Sequence, residues 1–510
     1  MRKATVFLLL GIAFVTGCSV NPVTGKKELV FMSTAQEIEL GRQNYVPMQQ
    51  SQGGEYDVDP ALTAYVQRVG NKVAAQSGVD LPYEFVVLNN SVPNAWALPG
   101  GKIAINRGLL TELESEAELA AVLGHEAVHA AARHSAKQQS RAVLMQVGVL
   151  GTAIAASDSD YGNLIAGGAN LLAQAGLARY GRSAELESDR YGMQYMSRAG
   201  YDPQGAVDLQ KTFLRLSEGR RTDWLSGLFA SHPPSQERVR ANEATAATLP
   251  AGGIRGRDEY AAVMARTMQL KPAYEAYDEG RKALAGKRID EALAKAGRAL
   301  DLFGGEAHFH ALRGDIRLVQ DNYDWAVTNY TRAIERRGDF FYYHLQRGIA
   351  RKESGDRDAA VADLERSLEL LPTAPAHLAL AGIAKDRGDV PGAVEHYKVV
   401  AKSGGDYGRL AAAELLRLEL PVDPAAYVRR GCSADGNGNL VVSVRNETAV
   451  RIAGVQVAVT YTDGGRQRER RFGIDGQVPP GQVASVNTGL GPYTQGSGCP
   501  ARVVAARVAE

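Results

Sequence analysis

The chain carries His125-Glu126-Ala127-Val128-His129, and this stretch decides the fold of the segment around it. Residues four apart lie on the same face of an α-helix, so His125 and His129 can bring two ring nitrogens to one metal ion. Glu126 stands beside the first His, where its carboxylate can take a proton from an attacking water. The pattern therefore predicts a helix that supplies two zinc ligands and a general base.

The residues before this stretch favour a genuine helix. Ser115-Glu116-Ala117-Glu118 has the spacing of a capping box, and the Ala- and Leu-rich run that follows contains no proline. The alternative is an amphipathic helix whose two His face solvent without binding metal. A third ligand decides between the two interpretations.

A tetrahedral catalytic zinc site needs a third protein ligand and an open position. His134 is a poor candidate on a continuous helix, and Ala132 and Ser135 stand where metzincins have Gly and His. Glu185 and Asp189 are four residues apart at a second predicted helix start, so one carboxylate can bind the metal while the other hydrogen-bonds a ligand His. Taken alone, this pair could equally be a solvated acidic turn.

Several motifs follow one another in a recognisable order. They are Asn94 to Ile103, Gly108 to Leu110, His125 to His134, Glu185 to Arg190, and Ser231 to Arg238. Together they resemble the gluzincin peptidase family that includes HtpX, the Oma-type mitochondrial proteases, the CAAX prenyl proteases and the BepA-type periplasmic lipoproteins. The resemblance covers roughly residues 20–245.

The resemblance implies a mainly helical α+β zincin-like metalloprotease domain that holds one Zn²⁺. It implies that the zinc ligands are His125, His129 and Glu185, that Glu126 is the base, and that Asp189 hydrogen-bonds a ligand. It also implies that two further residues, His232 and Arg238, approach the active site.

The N-terminus has the layout of a lipoprotein signal peptide. Arg2 and Lys3 precede a short apolar run from Val6 to Val15, which is too short to span a bilayer. Val15-Thr16-Gly17-Cys18 matches a lipobox, so we expect cleavage after residue 17 and lipidation of Cys18. The alternative is an ordinary signal peptide with an incidental Cys. Ser19, rather than Asp, is typical of lipoproteins sent on to the outer membrane, which predicts a periplasmic, lipid-anchored protein.

Two cysteines remain once Cys18 is set aside. Cys432 and Cys499 would lie in an oxidising compartment, where paired cysteines form disulfides. We therefore predict a disulfide between them, against the alternative of two unrelated buried thiols.

The length of 510 residues predicts about three domains. Lys and Arg number 58 against 57 Asp and Glu, so the net charge of +1 gives no argument for binding nucleic acid. We expect a signal peptide at 1–17, a protease domain at 18–245 and a linker at 246–271. Tetratricopeptide repeats would follow at 272–420, and a β-rich domain at 425–510.

The repeats are predicted from a period of 34 residues. Gly280, Gly314 and Gly348 share this spacing, and small residues recur 12 and 19 positions after each glycine. Such a pattern is typical of helix-turn-helix repeats that stack into an α-helical solenoid, whose small residues let the two helices pack closely. The repeats could dock clients or partners such as the outer-membrane assembly machinery, or could serve only as a spacer.

The last part of the chain shows alternating apolar and polar residues. Leu440 to Arg445, Arg451 to Thr462 and Val483 to Asn487 are predicted strands, separated by Gly-rich turns. We expect a C-terminal antiparallel β-sandwich-like module without a catalytic constellation.

Two apolar helices are predicted within 143–177, inside the protease segment. They form either a hairpin buried in that domain or a surface that touches the membrane.

These observations predict a lipid-anchored periplasmic zinc endopeptidase that degrades misfolded or stalled envelope proteins. Asn94, Ala95 and Ala97 would pair with an extended substrate strand, which reads backbone rather than side chains. The alternative is an outer-membrane assembly factor or chaperone-like scaffold in which proteolysis is secondary or silent. His232 could cap the zinc at rest, help to hold the substrate carbonyl, or make only a structural hydrogen bond.

Overall fold

The computed structural model describes residues 18–141, 180–219, 232–494, 496 and 498–509. The predicted signal peptide, the predicted apolar helices within 143–177 and Ser231 lie outside the described residues. The chain divides into two compact units, Met1–Tyr343 and His344–Glu510. Within the described ranges, no helix has both the length and the apolar character needed to cross a membrane.

The first unit contains five strands and eleven complete helices among its described residues. The strands are β1 (Cys18–Val20), β2 (Lys27–Leu29), β3 (Glu84–Leu88), β4 (Ala95–Leu98) and β5 (Lys102–Asn106). The helices are α1 (Thr34–Ser51), α2 (Pro60–Ala74), α3 (Arg107–Leu110), α4 (Glu116–Ala131), α5 (Arg182–Arg198), α6 (Gln204–Gly219), α7 (Gln236–Ala246), α8 (Arg257–Ala285), α9 (Ile289–Leu302), α10 (Ala307–Val319) and α11 (Tyr323–Arg336).

A small mixed sheet stands beside the central helix of this unit. Its strand order is β3-β5-β4, with β3 parallel and β4 antiparallel to β5. All four residues of β4 are buried, as are four of the five residues in each of the other two strands. The sheet therefore forms one wall of the core of the first unit.

The central helix is α4, and all sixteen of its residues are buried. Ser115 caps it by accepting a hydrogen bond from the backbone N–H of Glu118 at 3.2 Å. The Glu118 carboxylate turns back to the N–H of Glu114 at 2.9 Å, so the predicted capping box is completed one residue early. A capped, fully buried helix gives the metal-binding motif a rigid support.

Helix α5 crosses α4 at two glycines. A Cβ atom on Gly124 would lie 3.0 Å from the carbonyl oxygen of Gly192, which leaves no room for a larger residue. The close approach brings the first turns of α5, with Glu185 and Asp189, onto the motif face of α4.

The stretch predicted as a linker, 246–271, is helical from Arg257 onward. Tyr260 and Met264 are buried in the core of the first unit, and the Tyr260 hydroxyl donates to the carbonyl of Leu110 at 2.7 Å. These apolar contacts extend α8 back onto the core of the first unit, so the helix runs unbroken for 29 residues.

The repeat glycines sit where paired helices touch. A Cβ on Gly314 would meet the Tyr330 ring at 2.6 Å, and a Cβ on Gly348 would meet the Leu364 side chain at 2.8 Å. The small residues predicted at the other repeat positions are fully buried; they are Ala292, Ala299, Ala326, Ala333, Ala360 and Ser367. Close packing of helix pairs thus explains the 34-residue pattern.

The second unit combines helices with a C-terminal sheet region. Helix α12 (Phe341–Ser354) begins just before the boundary between the units, and α13 (Arg357–Leu370), α14 (Ala374–Asp386), α15 (Val390–Ala401) and α16 (Gly405–Glu419) follow it. The strands are β6 (Val428–Ala434), β7 (Leu440–Asn446), β8 (Ile452–Asp463), β9 (Arg466–Gly473), β10 (Gln477–Val478), β11 (Val483–Asn487) and β12 (Ala501–Val508).

These strands form two antiparallel sheets. One has the order β11-β7-β6, and in the other the long strand β8 pairs with β9, β10 and β12. Residues from both sheets share one apolar core, and a disulfide joins Cys432 on β6 to Cys499 ahead of β12. The prediction of a helix-rich chain with a C-terminal sheet region is therefore confirmed.

Candidate metal centre

The two His of α4 and a carboxylate of α5 meet at one point. The Nε2 atoms of His125 and His129 are 3.0 Å apart. The Glu185 carboxylate lies 3.5 Å from the first of these atoms and 3.4 Å from the second. All three side chains are buried, and their ligand atoms are in direct contact with one another.

His232 completes a group of four. Its Nδ1 lies 3.3 Å from the Nε2 of His125 and 3.1 Å from the Glu185 carboxylate, and the four ligand atoms all lie within 4.8 Å of one another. Metal–ligand bonds of 2.0–2.1 Å in tetrahedral geometry place neighbouring ligand atoms about 3.3 Å apart. The donor set, three imidazoles and one carboxylate, thus fits a tetrahedral divalent metal ion.

Glu126 lies next to this group and has an unused acceptor. Its Oε1 is 3.5 Å from the Nε2 of His232, while its Oε2 is buried without a hydrogen-bond partner among the described residues. Burial raises the pKa of this carboxyl above its ordinary value, and the neighbouring His232 and His125 only partly oppose the rise. A buried carboxylate with a raised pKa and a free oxygen suits a general base.

Asp189 and Arg238 support the first ligand. The Nδ1 of His125 lies 2.9 Å from Asp189, whose carboxylate accepts two hydrogen bonds of 2.7 Å from the Arg238 guanidinium. Burial opposes ionisation of Asp189, but Arg238 outweighs it and lowers the pKa of the carboxyl. Arg238 also lies 3.0 Å from the Glu185 carboxylate, so one guanidinium contacts both carboxylates of α5.

A parallel chain of side chains supports the second ligand. The Nδ1 of His134 is 2.9 Å from the Nδ1 of His129, and its Nε2 is 3.2 Å from Glu187. Arg133 has a φ of 60°, in the left-handed region that ends helices, and this turn brings His134 back over the helix it has just left. On a continuous helix His134 would point away from the metal, so the sequence does not indicate that it supports His129.

Tyr180 is a second residue that sequence reasoning missed. Its ring stacks on His129 with centroids 4.0 Å apart, and its hydroxyl hydrogen-bonds Ser135 at 2.8 Å. Burial raises the pKa of the Tyr180 phenol, so the hydroxyl stays protonated. A single Tyr outside any motif gives no signal in the sequence.

The charges within the group are coupled. Burial lowers the pKa of His129 well below its usual value, so this imidazole is neutral, the form that binds metal. Burial acts in the same direction on His125, but Asp189 and Glu185 outweigh it and raise the pKa of His125 to about 10. Metal binding therefore has to release the proton of His125. For Glu185, the cost of burial is outweighed by His232 and the other two imidazoles, and the pKa is lowered.

The predicted substrate strand lies beside the general base. Ala95 of β4 lines a cavity of about 30 Å³ together with Glu126 and His232. Asn94 and Ala97 are also buried, and the side-chain oxygen of Asn94 has no partner among the described residues. A cavity of this size holds about one or two water molecules. The strand β4 lies at the edge of the described sheet, where it pairs only with β5.

The fold and this group of side chains combine an HExxH helix with a carboxylate from a second helix, an arrangement typical of metallopeptidases. Residues 60–246 match the family described as Peptidase family M48.

Several curated proteins are similar to the chain. It is 28% identical over 287 residues to the beta-barrel assembly-enhancing protease of Escherichia coli strain K12, covering 55% of this chain and 56% of that protein. It is 38% identical over 186 residues to the mitochondrial metalloendopeptidase OMA1 of Schizosaccharomyces pombe, covering 36% and 52%. The chain thus spans about half the length of the curated relatives it matches.

Among solved structures, the Arabidopsis OM64 TPR domain matches 23% of this chain and 98% of its own length. Its sequence identity is 24% and its TM-score is 0.23. The geometry of the repeats is described above from the helix pairs of the chain itself.

Proposed function

We propose that the chain is a zinc-dependent endopeptidase that cleaves unfolded or misfolded proteins of the bacterial envelope. The convergence of His125, His129 and Glu185 beside the free carboxylate oxygen of Glu126 is the observation that carries this proposal. When bound, the metal supplies a Lewis acid that polarises the scissile carbonyl and lowers the pKa of a water.

The side chains of the site have distinct tasks in peptide hydrolysis. Glu126 takes a proton from the attacking water at its free oxygen and passes it to the leaving amine nitrogen. Asp189 and Arg238 hold His125 in one ring orientation, and His134 and Glu187 do the same for His129. Glu126 is thus the residue that moves protons, while the others position it and the ligands.

Substrate selection would depend on unfolding rather than on a sequence motif. Residues 94–97 would pair with an extended substrate, because backbone pairing at β4 requires a chain without stable structure. Support for a closed resting site comes from His232, whose ring nitrogen lies within 4.8 Å of the ligand atoms of His125, His129 and Glu185, and from the small cavity beside Glu126. We therefore propose that His232 closes the site at rest and moves aside when substrate enters.

The envelope assignment has its own support. The E. coli relative is named a beta-barrel assembly-enhancing protease, which favours outer-membrane proteins as clients and the repeats as a docking platform. The two C-terminal sheets would form a sandwich-like accessory module. An assembly factor with secondary proteolysis is the second candidate, and the same name favours it.

Anchoring through Cys18 is part of the proposal. Cys18 begins β1, where it pairs with Leu29 of β2, so a lipid on this residue would hold the protease domain directly at the membrane. A Cys18→Ser protein should leave the membrane fraction in high salt. Continued sedimentation of that variant with membranes would direct attention to residues 143–177.

The activity is tested with the purified full-length chain. The metal content, measured by inductively coupled plasma mass spectrometry, should approach one zinc per chain, and an unfolded substrate such as casein should be cleaved. A chelator should stop cleavage, and added Zn²⁺ should restore it. A protein that binds no metal, or that cleaves equally well with chelator, would contradict the proposal.

A further inference from the structure

The first unit contains a second, larger cavity, of about 730 Å³, that shares no residue with the metal centre. One side of it is formed by the end of α1 and the loop at residues 89–92, and the other side by repeat helices α8 and α10 and by residues 340–342. This volume falls within the range of cavities that enclose small ligands or short peptide segments.

The cavity contains a buried cation that makes no direct ion pair among the described residues, although the charge of Asp278 acts on it through space. Arg107 is 3% exposed, and its guanidinium donates to Ser91 at 2.7 Å and to Asn89 at 3.4 Å. No ion pair to it is found among the described residues, whereas the other buried arginines there (Arg133, Arg238 and Arg337) each have a carboxylate partner. A buried charge without a direct ion-pair partner is costly, so an anionic group in contact with the Arg107 guanidinium would be favoured.

The walls around Arg107 are aromatic. The guanidinium lies 3.4 Å from the centre of the Tyr274 ring. The neighbouring rings of Tyr277, Phe341 and Tyr342 line the cavity and are only partly buried. A ligand with an apolar or aromatic group next to its anion could cover these rings.

The remaining charges favour a monoanion. Lys282 is exposed and lines the cavity, whereas Arg281 at the same rim is already paired with Asp315 at 3.3 Å. Asp278 is the one carboxylate among the lining residues. His308 adds no charge at neutral pH, because burial lowers its pKa to about 4. With the Arg281–Asp315 pair set aside, Arg107 and Lys282 still outnumber Asp278, but Asp278 disfavours a dianion such as a phosphate monoester.

We propose that this cavity binds the C-terminus of an unfolded client polypeptide, with its terminal carboxylate on Arg107 and its last aromatic side chain against the surrounding rings. A chain end fits this recess better than an internal acidic residue, because only one strand of peptide has to enter it. The identity of the ligand as a client polypeptide rests on the proposed protease function.

The large cavity lies close along the chain to the small cavity beside Glu126. Val92 lines the large cavity, and Ala95, three residues later, lines the small cavity beside Glu126. Three residues of extended chain span at most about 10 Å. A client held by its C-terminus would therefore present a nearby segment to β4, and cleavage would start close to the chain end.

The proposal is tested by peptide binding to the full-length Glu126→Gln protein, so that a failure of proteolysis leaves the measurement intact. Fluorescence anisotropy would compare a labelled peptide ending in Tyr-Phe with a free carboxylate, the same peptide with an amidated end, and an amidated peptide with an internal Glu. We expect the free acid to bind at least roughly tenfold more tightly than either amide. Equal binding of the acid and its amide would overturn the proposal, and tight binding of the internal-Glu peptide would overturn the assignment to a chain end.

Variants locate the site. Arg107→Gln should bring the ratio of acid to amide affinity close to one, and Lys282→Gln should weaken binding of the acid severalfold. Arg298→Gln is the matched control, because Arg298 is exposed on α9 and lies outside the cavity. If Arg107→Gln lowers the melting temperature, the binding of the free-acid peptide to Lys282→Gln and to Phe341→Ala tests the proposal instead. Binding of the acid that neither variant changes would contradict the proposal.

Discussion

Arg238 donates two parallel hydrogen bonds to Asp189, one from Nε to Oδ2 and one from Nη2 to Oδ1, each 2.7 Å long. The same carboxylate reaches the Nδ1 of His125 at 2.9 Å, so helix α7 fixes a ligand on α4 through a side chain on α5. A bidentate pair of this kind restricts rotation as well as adding energy. The orientation of the His125 ring is therefore set by three helices.

Asp189→Asn should weaken metal binding without abolishing it. The amide keeps the size of the side chain but loses the charge that stabilises the ligand imidazole and pairs with Arg238, so we expect a loss of about 10–100-fold in affinity. Competition with a chromogenic chelator measures the change. Asp208→Asn is the control, because Asp208 pairs with Arg255 away from the metal centre. Equal affinities for wild type and Asp189→Asn would contradict the positioning role.

His232→Ala should raise basal cleavage of an unfolded substrate severalfold. The substitution removes a side chain from the fourth ligand position while three ligands remain, so metal binding persists and the site opens. Initial rates on casein, normalised to metal content, give the comparison. A rate below that of the wild type would instead assign His232 to stabilising the transition state, and an unchanged rate would leave it a structural role.

The pH dependence of stability should reveal a buried carboxyl in the repeats. Burial raises the pKa of Asp315 to about 6, although Arg281 and hydrogen bonds from Tyr330 and Tyr342 oppose the rise. The folded-state pKa thus exceeds the value of about 3.9 in an unfolded chain. The folded protein binds the proton of the Asp315 carboxyl more tightly than the unfolded chain does. The contribution of this protonated carboxyl to the free energy of unfolding is therefore full below about pH 4 and is lost as the pH rises through about 6.

Asp315→Asn should remove this pH dependence. The raised pKa of Asp315 corresponds to on the order of 3 kcal/mol in the free energy of unfolding. Between about pH 4 and pH 7 the wild type should therefore lose more stability than Asp315→Asn does. Urea unfolding at several pH values measures the difference, with Asp301→Asn on the exposed face of α9 as control. Parallel pH profiles for wild type and Asp315→Asn would contradict the raised pKa.

The parts of the site that could be predicted are those that local spacing determines. His125 and His129 lie one helical turn apart, so their shared face follows from helix geometry. The supporting role of His134 could not be predicted, because it depends on the left-handed conformation of Arg133. Arg107 also gave no signal, since its aromatic neighbours come from repeats more than 160 residues further along the chain.

The fold shows the same division. Strands β7, β8 and β11 were predicted because apolar and polar residues alternate along them. Strand β9 was missed because it is Arg-rich and exposed on both faces, so it has no apolar alternation to detect. Helix α8 begins inside the predicted linker because Tyr260 and Met264 pack into the core of the first unit. The Pro- and Gly-containing stretch before the helix does not reveal this contact.

The central claim is that Glu126 moves protons while His125, His129 and Glu185 hold the metal. The most direct test measures metal content and casein cleavage together for the wild type, Glu126→Gln and Glu185→Ala. We predict that Glu126→Gln keeps its metal and loses cleavage, because an amide cannot take the proton from the attacking water. Glu185→Ala should lose both metal and cleavage. Cleavage by Glu126→Gln at the wild-type rate, or full metal content in Glu185→Ala, would contradict it.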